Sequence, residues 1–245
     1  MSQPRFYCDE LTPGVITLDQ AESRHALQSL RLRPGDEVIV FDGRGRLAHG
    51  ILQPSDDADA RRRRRARLAV QRVLCEPPPT RTLTLIVAGC KGPRLTWMVE
   101  KLTELGTTRI VIADFERSVV HVGKTHATKL GRTAVEAAKQ SQRVWLPEIT
   151  CGVTLAEVIH EQDADAILIA HPAEDVPSLA ARLHGPERSE QRLAAVVGPE
   201  GGLTQEEFAM LSEANGELVR LAPHILRVET AAVSIAANWA AHQRA

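Results

Sequence analysis

The residues best suited to chemistry fall late in this 245-residue chain, in three short stretches that each follow an apolar run. They are Ala170-His171-Pro172-Ala173-Glu174, Gly198-Pro199-Glu200-Gly201-Gly202, and Leu221-Ala222-Pro223-His224-Ile225-Leu226-Arg227 with Glu229 just beyond. Three glycines and a proline around one acid let a backbone approach a ligand closely. If the three apolar runs are parallel strands, their loops gather at one edge of a sheet, where ligands bind. The content suits a neutral or cationic small molecule with an apolar ring. Leu221, Ile225 and Leu226 would enclose an adenine while backbone N–H and C=O groups read its edge. Arg227 and Glu229 supply charge close by. An ordinary strand-to-helix turn is the competing reading of the glycine stretch.

Other chemistries fail on spacing. The glycine stretch matches neither the GxxxxGK[ST] phosphate loop nor the GxGxxG dinucleotide turn. Asp42-Gly43-Arg44-Gly45 is a weak GxG that a hairpin turn explains better. There is no GxSxG elbow, and the nine histidines are scattered. The four cysteines, at 8, 75, 90 and 151, form no CxxC pair and no zinc spacing, so reduced thiols and no metal site are expected.

The elements that must position these loops are legible. Residues 83–89, 109–114, 166–171, 193–198 and 217–222 are short apolar runs of the kind found in parallel sheets covered on both faces. Between them, Leu95, Met98, Val99, Leu102 and Leu105 recur at helical spacing and Gly106 ends the pattern; Leu130, Ala134, Ala137 and Ala138 repeat it over 126–142. Thr204 and Glu207 form a capping box, with Leu203 and Phe208 placed to staple across it. Val228, Ala232, Ile235 and Trp239 line one face of a final alanine-rich helix.

Residues 1–75 read differently, with alternating apolar positions around glycine turns, a β-rich pattern. All 13 of their basic residues are arginines, against 10 acids, a balance of +3; the remainder carries −4. Arginine suits phosphate contact and base stacking. The acid-then-base block 55–67 reads as a solvated loop, with an RNA-grasping arm as the sharper alternative. The proline-rich joint 75–82 ends both helix and central strand, and the domain boundary is expected there. Composition is that of a globular chain with no run of about 18 apolar residues and no apolar leader, so a cytoplasmic protein without a membrane span is expected.

Taken together, "PRFYC", "RHALQSLRLRPGDEVIVFDGRG", "KGPRLTWMVEKLTELGTTRIV", "ERSVV", "AVEAAKQSQRVWLPEI", "VVGPEGGLTQEE" and "ILRVETAA" resemble, in order and over nearly the whole chain, the RsmE family of the SPOUT class. That family methylates N3 of a specific uridine in small-subunit (16S) ribosomal RNA. The resemblance implies an α/β fold: a PUA-like RNA-binding β-barrel over 1–75, then a SPOUT S-adenosylmethionine-dependent domain over 76–245 with a deep trefoil knot. It also implies a homodimer acting on ribosomal RNA or the assembled 30S subunit. Chain-threading rules alone argue against a knot.

Under this resemblance His171, Pro172, Val197, Gly198, Pro199, Gly201, Gly202, Leu221, Ala222, Pro223, Ile225 and Leu226 are the expected S-adenosylmethionine contacts. Arg227 is expected to stabilise charge on the base, and Glu200 or Glu229 to accept the N3 proton, with capping of the last helix as an alternative for Glu229. Arg5, Arg24, Arg31, Arg33, Arg117 and Arg143 are the expected RNA contacts, Arg117 and Arg143 facing RNA or cofactor. Ala222 and His224 stand where the family pattern has glycine and arginine, which puts the detail of that loop in question. Two other functions fit less well: a SPOUT methyltransferase on another atom, such as a ribose 2′-oxygen of transfer RNA, and a non-catalytic RNA-binding assembly factor.

Overall fold

The computed structural model describes residues 3–54, 65–183 and 191–242. The chain divides into two units: residues 1–78 with 138–146, and residues 79–137 with 147–245. The arginine run at 61–64 and the acids before it lie outside the described residues.

In the first unit, alternating apolar residues produce strands with one face in a core. β1 (Arg5–Tyr7), β2 (Gly14–Thr17), β3 (Glu37–Phe41), β4 (Arg46–Leu52) and β5 (Arg67–Cys75) form one sheet in the order β1-β3-β4-β5-β2. Only the β1–β3 pair is parallel. Phe6, Leu18, Val38, Val40, Leu52 and Leu68 are its fully buried centre. The β3–β4 connection is the hairpin turn expected of Asp42-Gly43-Arg44-Gly45. Asp42 Oδ1 accepts the amides of Arg44 and Arg46 at 2.8 and 3.0 Å, and Gly43 and Gly45 take positive φ, +73° and +87°. Such φ values favour glycine, which has no Cβ to clash. α1 (Gln20–Arg24) is capped by Asp19, whose carboxylate accepts the Glu22 amide at 2.7 Å, and it runs on as a π-helical turn, His25–Ser29.

Residues 138–146 join this unit through Ala138, Val144 and Leu146, which pack with Phe41, Tyr7 and Leu47. Lys139 Nζ lies 2.8 Å from Glu22 Oε1, both side chains largely buried. Nothing in the local sequence pattern marks this excursion, because its residues continue the periodicity of the helix that contains them.

The second unit holds a six-stranded, wholly parallel sheet. Its strands are β6 (Thr82–Ala88), β7 (Arg109–Asp114), β8 (Glu148–Thr154), β9 (Ala166–Ala170), β10 (Arg192–Val197) and β11 (Gly216–Val219), in the order β11-β9-β10-β6-β7-β8. The five expected runs are five of these strands. The sixth, β8, lies at the edge and contains Glu148, Thr150 and Thr154. An edge strand need not be apolar throughout, which is why no apolar run announced it. In the central strands Leu83, Leu85, Ile86, Val87 and Ala88, and Leu193 to Val196, are buried without alternation.

The helices of this unit are α2 (Pro93–Glu104), α3 (His126–Ser141, whose residues from Ala138 on belong to the first unit), α4 (Leu155–His160), α5 (Leu179–Leu183), α6 (Gln205–Glu213) and α7 (Val228–Ala241). α2 buries Leu95, Met98, Val99 and Leu102, and Gly106 at φ +89° follows its end. α3 buries Leu130, Ala134, Ala137 and Ala138. α7 packs on α2, β6 and β10 through Val228, Ala232, Ile235 and Trp239. Its small residues permit close approach. No helix among the described residues is long and apolar enough to cross a membrane.

Candidate active site

Strand register decides which loops meet. Val219 of β11 pairs with Ala170 of β9, Ile169 of β9 with Val196 of β10, and Val197 of β10 with Val87 of β6. All four strands are parallel, so the segments after Ala170, Val197 and Val219 leave one edge of the sheet side by side. The three loops singled out by their residues therefore belong to three adjacent strands.

Each loop is pinned by backbone hydrogen bonds. The His171 amide donates to the Val219 carbonyl at 2.9 Å, and the Arg220 amide to the Pro177 carbonyl at 2.9 Å, zipping the first loop to the third. His171 Nδ1 accepts the Ala173 amide at 3.2 Å, and its ring meets Phe208 of α6 edge-on at 5.7 Å. In the glycine turn Pro199 is buried, the Gly202 amide donates to the Pro199 carbonyl at 2.9 Å, and Gly202 takes φ +72°. The turn ends in the expected capping box. Thr204 Oγ1 accepts the Glu207 amide at 3.2 Å and Glu207 Oε2 accepts the Thr204 amide at 2.8 Å.

A fourth loop, 115–122 after β7, also holds this turn, and sequence reasoning did not assign it that role. Arg117 Nη1 donates to the carbonyls of Gly201 at 3.0 Å and Leu203 at 3.3 Å. Glu207 Oε1 accepts the Glu116 amide at 2.9 Å. A Cβ on Gly201 would lie 3.2 Å from Arg117 Cβ, so the missing side chain lets Arg117 reach across. At Gly89, after β6, a Cβ would come 2.5 Å from the Val120 carbonyl oxygen, so this loop packs there against bare backbone.

Of the expected catalytic residues, Glu200 is exposed on the glycine turn, Arg227 is the exposed N-cap of α7, and Glu229 is buried in its first turn at 6% exposure. Arg227 makes no side-chain cap. Glu229 Oε1 is 3.8 Å from Arg94 Nε, and Oε2 is buried with no hydrogen-bond partner among the described residues. Burial pushes the nearby Cys90 thiol up to about 11, and the charge of Glu229 adds to the shift against Arg94.

A groove of about 700 Å³ opens here, walled by Arg94, Trp97, Ile225, Leu226, Arg227 and Glu229. It brings together four residues expected from sequence, and Glu200 and the glycines are not among its walls. Arg94 and Trp97 were missed because the helical pattern of α2 drew attention to its buried stripe. The signal was there: Trp97 is a large apolar residue off that stripe, 43% exposed.

The remaining arginines lie in the first unit. Arg24, which ends α1, and Arg31 and Arg33, which precede β3, are exposed. Arg5 stacks over Phe41 with its guanidinium carbon 5.5 Å from the ring centre, and Arg5 Nε and Nη2 are buried with no hydrogen-bond partner among the described residues. Arg143 is partly buried, and burial pulls it down to about 10. Among the described residues no group of three His, Cys, Asp or Glu is placed to hold a metal ion.

Two family models match this chain. An RNA methyltransferase domain spans residues 76–240 and an RNA methyltransferase PUA domain spans residues 18–59. The chain is 32% identical over 240 residues to ribosomal RNA small subunit methyltransferase E of Mycobacterium tuberculosis, covering 93% of this chain and 87% of that one. It is 29% identical over 234 residues to the protein of the same name from Bacillus subtilis, covering 89% and 86%. Its fold matches the crystal structure of a ribosomal RNA small subunit methyltransferase E from Neisseria gonorrhoeae bound to S-adenosyl methionine. That match has a TM-score of 0.80 at 27% identity and covers 99% of this chain and 98% of the other.

Proposed function

The chain belongs to the RNA methyltransferase family, and from that membership we propose that it is an S-adenosylmethionine-dependent enzyme methylating N3 of a specific uridine in small-subunit ribosomal RNA. The observation that carries the reading is the meeting of three loops from adjacent parallel strands, the third of which leads into α7 and its buried Glu229.

The residues present fit the cofactor. The glycine turn offers backbone in place of side chains, and Gly202 holds a φ that residues with a Cβ avoid. Val197, Gly198, Pro199, Gly201 and Gly202 would hold it on one side, His171 and Pro172 on a second, and Leu221, Ala222, Pro223, Ile225 and Leu226 around the adenine. When bound, the cofactor would supply a methyl group activated by its sulfonium for transfer to N3.

The chain's own task is then orientation and proton management. Glu229 accepts the N3 proton, its buried Oε2 having no competing donor; the exposed Glu200 is the weaker candidate. Arg227 faces the negative charge that spreads onto the uracil O2 and O4, where a fixed positive group stabilises the transition state.

Arg5, Arg24, Arg31, Arg33 and Arg143 would contact RNA, with a PUA-like domain over 1–75 and the methyltransferase domain over 76–245. The same reading makes the protein a cytoplasmic homodimer whose C-terminal segment completes a trefoil knot. The strand order supports the knot, since the chain passes from β10 beyond β9 to β11 and then returns with α7 to β6 and β10.

The test is methyl transfer to 30S subunits and to naked ribosomal RNA, followed by digestion and mass analysis. N3-methyluridine is expected. A methyl on a ribose oxygen, or no calorimetric binding of S-adenosylmethionine at millimolar ligand, overturns the proposal.

A further inference from the structure

The groove beside Glu229 has the donor and acceptor pattern of one particular base edge. A carboxylate oxygen buried without a donor has given up water and received nothing in return. Such a group is either a defect or half of an interaction whose other half is absent. Here its residue, Glu229, lines a groove of about 700 Å³, within the range of sites for small ligands, with Oε2 just beneath the surface. The guanidiniums of Arg94 and Arg227 share that wall. Arg94 stands 3.8 Å from the carboxylate, too far for a hydrogen bond, so its N–H groups are not consumed by Glu229. Trp97, 43% exposed, completes the groove with apolar surface.

One acceptor flanked by two guanidinium donors is the complement of an imide, the C=O, N–H, C=O edge of uracil. Cytosine presents a lone pair at N3, which a carboxylate repels. An indole offers a flat face on which a base stacks. Resting on the methyltransferase reading above, we propose that this groove is the target-base slot. Trp97 stacks on the uracil, Glu229 takes the N3–H, and Arg94 with Arg227 reads the flanking carbonyls. The slot therefore selects uracil over cytosine, and Trp97 and Arg94 join the substrate-binding residues.

The test uses the full chain, 30S subunits and labelled S-adenosylmethionine. Trp97→Ala is expected to lower kcat/KM for the subunit about 5- to 160-fold, the range for loss of one base–aromatic stack. Trp97→Phe is expected to recover most of that loss. Calorimetric affinity for S-adenosylmethionine should stay within about twofold of the parent in both variants, which also shows that they are folded. A second arm replaces the target uridine by cytidine in reconstituted subunits: the parent should bind them at least about tenfold more weakly, and Glu229→Gln should narrow that gap.

If the parent transfers no methyl to uridine, the underlying reading fails. If the parent transfers it and Trp97→Ala matches the parent, the slot alone fails. The slot also fails if both Trp97 variants lose activity equally while light scattering shows a changed copy number, because the groove is then an interface between copies of the chain.

Discussion

Arg117 Nη1 sits 3.0 Å from the carbonyl oxygen of Gly201, joining the loop after β7 to the glycine turn after β10. Sequence placed Arg117 against RNA or cofactor; in the structure its Nη1 donates to the carbonyls of Gly201 and Leu203. Arg117→Ala is therefore expected to weaken S-adenosylmethionine binding about 5-fold, near the ~1 kcal/mol of an ordinary hydrogen bond, since the arginine is exposed. RNA affinity without cofactor, and its salt dependence, should not move. A salt slope shallower by about one would assign Arg117 to a phosphate instead.

Glu207 divides its two carboxylate oxygens between two tasks. Oε2 closes the capping box on Thr204, and Oε1 accepts the Glu116 amide. Both Thr204→Ala and Glu207→Ala should lower stability by about 1 kcal/mol through the lost cap. Only Glu207→Ala should release the Glu116 amide. Hydrogen exchange at Glu116 that accelerates equally in the two variants would contradict this division.

Gly45 and Gly35 separate backbone strain from crowding. Both take positive φ, +87° and +98°. A Cβ at Gly35 meets nothing within 4 Å, while one at Gly45 lies 2.6 Å from Trp145 Cε2 and 2.7 Å from the Glu76 carbonyl oxygen. Gly35→Ala should cost about 1 kcal/mol, and Gly45→Ala at least about 2 kcal/mol more. Urea midpoints read the difference, and equal midpoints would mean that Trp145 yields without penalty.

Asp42 gives a pH signature. Burial pushes its carboxyl up, but hydrogen bonds from the Arg46 guanidinium and the Arg44 and Arg46 amides hold it below the ordinary 3.8. A carboxyl lowered in the folded state stabilises fully above its unfolded value, and that stability fades as pH falls through the folded one. Asp42→Asn should be less stable than the parent at pH 6, and the gap should narrow below about pH 4. A gap of the same size at pH 6 and pH 3 would show that the charge contributes nothing.

The sites differ in how far the chain announced them. The glycine turn was readable because Gly198-Pro199-Glu200-Gly201-Gly202 and the Thr204–Glu207 box act over a few residues. The Arg117 clamp was not: 84 residues separate Arg117 from Gly201, and any surface arginine has the same local appearance. Trp97 and Arg94 were hidden for a related reason, since only the packing of α7 on α2 brings them to Glu229.

The sequence by itself determined the two textures of the chain, five of the six parallel strands, the Thr204–Glu207 cap, the hairpin at Asp42 and the family. Each rests on short-range periodicity, on turn chemistry or on motifs that stand in order along the chain. The tertiary structure alone decided that β11, β9 and β10 are neighbours, that residues 138–146 pack with the first unit, and that the Glu229 carboxylate is buried with an oxygen left over. These depend on strand order and register, which arise from contacts between residues far apart in sequence and leave no local pattern to read.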